Sequence, residues 1–415
     1  MWLSGLRLVL PDCVLENGSI HIADGKIADI VEGSVPKADI HAPHLTALPG
    51  LVDMHGDMLE REVQPRPKAN IPIDLALHEL DKRLVATGIT TAYAAISFSW
   101  ETNKSLRSEE KARQLIGAVN QLRPTLLADH YVHSRFEITN PAAGAVLQEL
   151  LANKLVHLVS IMDHTPGQGQ YRDIERYVQF SVAWRNQRGE DVTEADIRAH
   201  IADRETWPKA WDIVQDVAKH SQKYGVTMAS HDDDTVEKVQ FVSQFGVRIS
   251  EFPVTAVAAA EARQLGMHVA MGAPNAMRGG SLSGNLNAAE AVADGLVDTL
   301  ASDYHPASML HAAYALARNG SLPLYEAVKL VSTNPAHGVG LTDRGALVVG
   351  KTADIVLVDD RELPRVHGTF RRGVPVYWDR TMVELSHLSR QQVFSLNGRN
   401  PSKSLERTSK KQYHE

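Results

Sequence analysis

Cysteine and long apolar runs are both scarce in this sequence. Among 415 residues there is one cysteine, Cys13, so no disulfide can form within the chain and no zinc site can be built from several thiolates. No stretch approaches the roughly 18 uncharged apolar residues of a membrane-spanning helix. The first residues do not resemble a secretory signal peptide, because Pro11, Asp12 and Glu16 interrupt their apolar character. We therefore expect a cytoplasmic protein that does not insert into membranes.

An excess of positive charge is also missing. The formal net charge is −7, which gives no sign of a general affinity for nucleic acid or for membrane surfaces. With 43% hydrophobic and 22% charged residues, the composition is that of an ordinary globular protein. An anionic small molecule would therefore have to be bound by a local cluster of basic side chains.

The two ends of the chain have the character of short strands and turns. Residues 1–48 include a hairpin signal at Asp24-Gly25, and residues 340–385 include the run GALVVGKTADIVLVDD. We expect these two segments to form one small β-sandwich domain. Residues 386–415 are polar and basic, and we expect them to form a C-terminal extension.

Strand-like runs alternate with helical stretches over residues 49–339. The strand-like runs are Leu48–Asp57, Ile89–Phe98, Thr125–Glu137, Val156–Thr165, Val226–Asp234, Val247–Thr255, His268–Asn275 and Asp298–His305. Such alternation is typical of a parallel sheet, and eight units predict an α/β fold with a (β/α)8 TIM-type barrel. One connection, residues 172–223, is too long and too charged for a barrel loop. We expect a helical insertion there, which is either a lid over the site, or a decoration, or an oligomer contact such as that of a homodimer.

Polar side chains recur where the predicted barrel strands end, which is where the active sites of such barrels lie. The first strand ends in His55-Gly56-Asp57, and alternation places His55 and Asp57 on one face. Imidazole and carboxylate bind Zn²⁺, Mn²⁺ or Fe²⁺, and burying them unpaired is costly. Six candidate ligands would fit a pair of divalent ions, with Zn²⁺ favoured: His55, Asp57, Glu137, His164, His231 and Asp303.

Some of these residues, and some of their neighbours, have alternative roles. Asp57 and Glu137 can instead orient a ligand histidine. Asp129, His130 and His133 are expected to be structural. The run Asp232–Asp234 is expected to begin the next helix, where carboxylates complement the helix dipole.

Basic and glycine-rich segments follow several of the same strands. Arg61 lies just after the first strand and Arg135 near the end of the third. The residues predicted to bind an anionic substrate are Arg66, Lys68, Arg172, Arg278, Gly279, Gly280 and Ser281. The glycine-rich segment is expected to open a helix whose backbone N–H groups bind anions.

In these motifs the chain resembles the amidohydrolase superfamily. LPGLVDMHGD closes the first barrel strand and LASDYHP the last, and the resemblance extends to about residue 385. Members typically begin with His-x-His, and the departure to His55-Gly56-Asp57 points to the branch of diphosphatases in the carbon–phosphorus lyase pathway. The most specific stretches are HGDMLEREVQPRPK, MDHTPGQGQYRD, ASHDDDT and GAPNAMRGGSLSGN. Glu251 stands where the superfamily often has a histidine, and its role is left open.

The resemblance implies a metal-dependent hydrolase of phosphonate metabolism. Its substrate would be α-D-ribose 1-methylphosphonate 5-triphosphate, cleaved at the α–β phosphoanhydride with release of pyrophosphate. Divalent ions would activate the attacking water, and Asp303 would accept its proton. Two alternatives are a hydrolase of C–N bonds, such as a deaminase or cyclic amidase, and a non-catalytic scaffold with the same fold. The basic residues favour the first interpretation, because a neutral amide substrate would not need them.

Overall fold

A computed structural model describes residues 1–66, 69–98, 107–187, 189–280 and 284–386 of the protein. Its strands fall into two sheets of eight, one of them a parallel barrel and the other made by the chain ends. In chain order the strands are β1 (Trp2–Val9), β2 (Val14–Ala23), β3 (Lys26–Glu32), β4 (Ile40–His41), β5 (Thr46–Pro49), β6 (Leu51–Gly56), β7 (Ile89–Phe98), β8 (Asp129–Glu137), β9 (Leu158–Met162), β10 (Thr227–His231), β11 (Ile249–Glu251), β12 (His268–Gly272), β13 (Thr299–Ala301), β14 (Ile355–Asp359), β15 (Arg365–Arg371) and β16 (Val374–Trp378).

Strands β6 to β13 form the predicted barrel, each pairing in parallel with the next. The ring closes between its first and last strands, where the backbone of Gly56 pairs with that of Asp303. The Asp57 N–H donates to the Asp303 carbonyl at 2.6 Å, and the Asp303 N–H donates to the His55 carbonyl at 3.0 Å. The closing hydrogen bonds therefore lie at three of the predicted site residues.

The interior of the barrel is a packed core rather than a channel. Every residue of β7 is buried, as expected for a strand covered on both faces. One apolar cluster takes a residue from each strand: Met54, Tyr93, Tyr131, Leu158, Ala229, Ile249, Ala270 and Ala301. Strands β6 to β9 contribute large side chains to this cluster, whereas β10, β12 and β13 contribute alanines, and together they fill the interior with side chains. The six predicted metal ligands therefore lie outside this apolar layer, at the carboxyl ends of the strands.

Helices separate the strands of the barrel, as the alternation in the sequence predicts. They are α1 (Met58–Val63), α2 (Ile73–Ala86), α3 (Glu109–Leu122), α4 (Ala142–Ala152), α5 (Ile174–Gln187), α6 (Glu194–Glu205), α7 (Trp211–Tyr224), α8 (Val236–Ser243), α9 (Ala256–Gln264), α10 (Ala273–Arg278), α11 (Ala288–Ala293), α12 (Ser308–Arg318), α13 (Leu324–Lys329), α14 (Thr333–Gly338) and α15 (Arg380–Leu385). Within the described part of the chain, none of them combines the length and the apolar character needed to cross a bilayer.

The second sheet joins the two ends of the chain, as predicted. Its order is β16-β15-β14-β5-β1-β2-β3, with β4 beside β1, and the antiparallel pairing of β5 with β14 connects the two segments. Pairs β1–β4 and β1–β5 are parallel, and the other pairs are antiparallel. A separate core that includes Leu6, Ile20, Ile355 and Phe370 stabilises this unit. Of the predicted extension, residues 387–415 lie outside the described residues.

The segment 172–223 is helical, as predicted, but its helices have two different roles. Helix α7 belongs to the barrel, because its Val214 and Val217 are buried in the main core. Helices α5 and α6 form a hairpin with a small apolar cluster of Val178, Ile197 and Ile201. We call residues 174–205 the insertion hairpin. Within the described residues of the segment 172–223, the insertion hairpin is the part that lies outside the regular strand–helix pattern.

Candidate active site

A cavity of about 570 Å³ opens at the carboxyl ends of the barrel strands. All six predicted metal ligands line it: His55, Asp57, Glu137, His164, His231 and Asp303. They come from or directly follow five strands, β6, β8, β9, β10 and β13. The order of the strands in a barrel predicts that these six residues lie around one ring. In the structure, their side chains face one cavity.

The histidine and aspartate that end β6 lie side by side. Nε2 of His55 is 3.4 Å from Oδ1 of Asp57. Gly56 between them has no room for a side chain, because a Cβ there would lie 2.9 Å from Oδ2 of Asp53 and 2.8 Å from Cε of Met58. Any larger residue at this position would have to displace the Met58 or Asp53 side chain, so glycine suits a strand end that presents both groups to the cavity.

His55 is held between two carboxylates. Its Nδ1 donates to Oε1 of Glu251 at 3.2 Å, and its Nε2 faces Asp57. A carboxylate on one ring nitrogen is the usual partner of a metal-binding histidine, since it leaves the other nitrogen free as a ligand. This contact gives Glu251 a role that the sequence left open, which is to orient His55.

The same arrangement recurs at His164. Its Nδ1 donates to Oε2 of Glu137 at 2.7 Å, and its backbone N–H donates to Oε1 of the same carboxylate at 3.1 Å. Nε2 of His164 lies 3.6 Å from Oδ2 of Asp232. These contacts fit the orienting role, one of the two roles that the sequence leaves open to Glu137. Asp232 occupies the position that Asp57 has beside His55.

His231 lies between these two pairs. The centre of its ring is 5.7 Å from the ring centres of both His55 and His164. Its two ring nitrogens are buried, and neither has a hydrogen-bond partner of normal geometry, although Nδ1 is 3.1 Å from Oδ2 of Asp232. Buried polar atoms are normally satisfied, so unpartnered imidazole nitrogens beside carboxylates fit a site for divalent cations.

Two groups of donor atoms are close enough to share a cation among the described residues. One consists of His164, His231 and Asp232, all of which line the cavity. The other consists of His55, His133 and Glu251, but His133 and Glu251 are fully buried beneath the cavity. Both also contact the Ser160 hydroxyl, with Nε2 of His133 at 2.5 Å. The second group is therefore a buried support for His55 rather than an open ligand set.

The electrostatics of these groups favour a cation in the cavity. Burial disfavours a charged imidazole, but Glu251 and Asp57 outweigh burial and raise the pKa of His55 to about 10. For His164, Asp232 and Glu137 likewise outweigh burial and raise the pKa to about 9. The carboxylates therefore create a negative field that a proton or a metal ion can neutralise.

The strand ends that carry these groups are backbone-strained. Asp232, Phe252 and Asp303 directly follow or nearly follow β10, β11 and β13, and all three have positive φ, between 53° and 56°. Non-glycine residues in this region cost roughly 1–3 kcal/mol each and cluster at functional sites. Burial and the charge of Asp57 also raise the pKa of Asp303 to about 6. A carboxylate with such a pKa can exchange a proton near neutral pH.

The prediction that Asp232–Asp234 begin a helix was wrong, because α8 starts at Val236 with Thr235 as its N-cap. Asp232 faces the histidines of the cavity. Asp233 is buried and accepts hydrogen bonds from the Ser230 and Ser250 hydroxyls, both at 2.5 Å. The positive φ of Asp232 turns the chain sharply, so the three carboxylates separate instead of sharing one helix end.

The predicted substrate-binding residues are only partly brought to the cavity. Arg278 lines it, whereas Arg66 and Arg172 are exposed and do not. Gly279 and Gly280 follow the end of α10, and Gly279 is its C-cap with φ of 72°. The prediction that they open a helix was wrong, since a helix end presents carbonyl groups rather than N–H donors. Lys68 and Ser281 lie outside the described residues.

Arginines from elsewhere complete the cationic lining. Among the described residues, five arginines line the cavity: Arg61, Arg107, Arg135, Arg204 and Arg278. Sequence reasoning missed Arg107, which precedes α3 and contacts Glu60, and Arg204, which comes from the insertion hairpin. Sequence reasoning also missed Asp232 as a site residue, although its position directly after His231 could have indicated it.

Comparisons with known proteins agree with this fold and with a hydrolase. The sequence model described as "Amidohydrolase family" matches residues 66–377. The α-D-ribose 1-methylphosphonate 5-triphosphate diphosphatase of Escherichia coli (strain K12) is 35% identical over 370 residues, which cover 87% of this chain and 96% of that protein. The adenine deaminase of Methanoculleus marisnigri is 42% identical over 60 residues, 14% of this chain and 12% of that protein.

Solved structures of low sequence identity share the fold. A prolidase complexed with N-methylphosphonate-L-proline aligns over 91% of this chain and 99% of its own, with a TM-score of 0.63 and 15% identity. The N-acetyl-D-glucosamine-6-phosphate deacetylase of Mycobacterium smegmatis aligns over 91% and 99%, with a TM-score of 0.61 and 17% identity. By the family match and by the similarity to the E. coli enzyme over most of both chains, the chain belongs to the amidohydrolase family of hydrolases.

Proposed function

We propose that the protein hydrolyses α-D-ribose 1-methylphosphonate 5-triphosphate at the α–β phosphoanhydride and releases pyrophosphate, a step of phosphonate metabolism. The observation that carries the proposal is a cavity in which paired histidines and carboxylates face five arginines. A triphosphate carries several negative charges that such a cluster of cations can bind, whereas a neutral amide offers them no charge. The similarity to the E. coli diphosphatase over most of both chains supports the same substrate.

The residues fit two divalent ions, for which Zn²⁺ is the first choice because the donors are imidazole and carboxylate. His55 and Asp57 would hold one, and His164, His231 and Asp232 the other, with Asp303 beside them. Such ions, when bound, lower the pKa of water and polarise phosphoryl oxygens.

The remaining chemistry belongs to side chains of this protein. Asp303 accepts the proton of the attacking water, since it lines the cavity and its pKa is raised to about 6 by burial and by Asp57. The water attacks the α-phosphorus, the bond to the bridging oxygen breaks, and pyrophosphate leaves. Arg61, Arg135 and Arg278 neutralise the charge on the phosphates as it moves to the leaving group. Lys68 and Ser281, which lie outside the described residues, are also proposed to bind the substrate.

Turnover in ¹⁸O-labelled water tests the point of attack. The zinc-loaded protein is incubated with the ribose triphosphate, and the products are followed by phosphorus NMR and mass spectrometry. We expect label in the ribose 5-phosphate product, and label in pyrophosphate would refute the proposal. Adenine and dihydroorotate, tested in parallel, represent C–N hydrolysis, and faster turnover of either would favour this alternative function.

A further inference from the structure

The insertion hairpin contributes side chains to the cavity although it is not part of the barrel. Tyr177 of α5 and Arg204 of α6 both line it. Tyr177 also contacts Tyr171, whose ring centre is 4.7 Å away, in the segment that follows β9. The hairpin therefore forms part of the wall of the candidate active site, next to the histidine that follows β9.

Arg204 is a buried cation in an otherwise highly exposed hairpin. Its side chain is in the last turn of α6, and 5% of the residue is exposed. One guanidinium nitrogen, Nη2, lies 3.5 Å from the carbonyl oxygen of His164, and the guanidinium carbon is 4.9 Å from the centre of the Trp207 ring. These contacts hold the charge at the cavity, beside the backbone of a candidate metal ligand.

The hairpin is fastened at both sides of the cavity. Beyond α6, Nζ of Lys209 is 2.6 Å from Oδ2 of Asp163, the residue before His164. On α5, Arg176 lies against Gly284, in the segment between α10 and α11, so closely that a Cβ on Gly284 would be 2.2 Å from Nη1. The hairpin, together with the residues that follow it, thus connects the end of β9 with the segment that follows α10.

We infer that the insertion hairpin recognises the polyphosphate part of the substrate, and that Arg204 binds phosphate oxygens beyond the bond that is cleaved. The inference rests on the proposed function and extends it to substrate selection. A guanidinium binds phosphate oxygens through two parallel hydrogen bonds, and its planar shape suits a fixed position in a wall. Arg61, Arg135 and Arg278 belong to the barrel itself. Arg204 is the positive charge that the insertion hairpin adds to the cavity of this barrel.

The test separates phosphate-chain recognition from catalysis by comparing a variant in two assays. In the zinc-loaded full-length protein, Arg204→Gln is expected to weaken pyrophosphate binding, measured by calorimetry with excess metal, by about 10- to 100-fold, as for the loss of one charge-assisted hydrogen bond. The KM for the ribose triphosphate should rise in parallel, while inhibition by the ribose 5-monophosphate product should change little. Arg204→Lys, which keeps the charge and loses the planar fork, should be intermediate.

Arg198→Gln is the matched control, because Arg198 is on the same helix but is exposed and paired with Glu175 at 2.6 Å. Equal pyrophosphate affinity in Arg204→Gln and Arg198→Gln would overturn the inference. If Arg204→Gln fails to fold by circular dichroism, Arg204→Lys carries the test, and unchanged affinity there would also overturn it. Pyrophosphate affinity can be measured without turnover. If the wild-type protein binds pyrophosphate through Arg204 but does not hydrolyse the triphosphate, the proposed function is refuted and the inference about Arg204 stands.

Discussion

Nη1 of Arg135 donates to Oδ1 of Asp57 at 2.9 Å, and this ion pair links the third barrel strand to the end of the first. Burial alone would raise the pKa of Asp57, but Arg135 and His55 outweigh burial and hold it well below its usual range. The surroundings of Asp57 therefore favour its anionic form, which is the form that can bind a cation. Arg135 thus lines the cavity and also lowers the pKa of Asp57, a candidate metal ligand.

Coupling between Arg135 and Asp57 can be measured by a double-mutant cycle. Arg135→Gln and Asp57→Asn should each lower kcat/KM, and the double variant should lose less than the sum, with a coupling of about 1–3 kcal/mol for residues in contact. Arg113→Gln, which removes an exposed pair with Glu149, should leave kcat/KM unchanged. Additive losses for the first pair would mean that the two side chains act independently.

Asp303→Asn tests the proposed proton acceptor. The amide cannot accept the proton of the attacking water, so kcat should fall by about 10²- to 10⁴-fold. Bound zinc, measured by plasma mass spectrometry, should stay close to the wild-type content, since the proposed ligands are other residues. Asp294→Asn, an exposed residue in the preceding loop, serves as the control. Near-normal turnover in Asp303→Asn would exclude it as the proton acceptor.

Glu137→Ala tests whether Glu137 orients His164. The change removes the acceptor of both His164 hydrogen bonds and should weaken zinc binding by about 10- to 100-fold, the usual effect of losing such a carboxylate. Glu137→Gln should be milder, because the amide oxygen still accepts one hydrogen bond. Competition with a zinc-binding dye gives the affinities, and exposed Glu110→Ala is the control. Wild-type affinity in Glu137→Ala would contradict the role.

Asp354→Asn should change how stability depends on pH, far from the cavity. Burial raises the pKa of Asp354 to about 6, although Arg344 opposes the shift. The wild-type protein should therefore lose stability relative to the variant as pH rises from about 4 to about 6, by at most about 3 kcal/mol, and the difference should then level off. Urea midpoints at several pH values measure this.

Asp343→Asn is the companion variant, because hydrogen bonding to Arg344 lowers the pKa of Asp343. Its carboxylate stabilises the fold above its unfolded pKa and loses that effect as pH falls, so the slope should have the opposite sign. Parallel slopes for the two variants would contradict both assignments.

Much of the barrel was predictable, because buried parallel strands appear in the sequence as apolar runs. Ile89–Phe98 is the plainest example, with the same bounds in sequence and structure. Polar residues then mark where such runs end, which is why His55, His164 and His231 were identified as members of one site. These features depend on local pattern and on a fold rule that places strand ends together.

What could not be predicted depends on distances between segments that are remote in the chain. That Glu251 contacts Nδ1 of His55, and Glu137 contacts Nδ1 of His164, is known only from the distances in the structure. Arg204 was missed because nothing in a charged helical segment indicates which arginine faces a cavity. Gly279 was misread because a glycine pair is compatible with either end of a helix, and only φ at Gly279 decides between them.

The closure of the barrel between Gly56 and Asp303 has a consequence for how activity arises during synthesis. Beneath that bridge, Asp53 accepts hydrogen bonds from Ser302, 249 positions later in the chain. A ribosome-bound chain that lacks β13 would hold His55, His164 and His231 but neither the closing strand nor Asp303. Contacts of such long range form late, since loop-closure entropy must be overcome first. The emerging enzyme should therefore remain catalytically silent until its eighth strand has been translated and has docked.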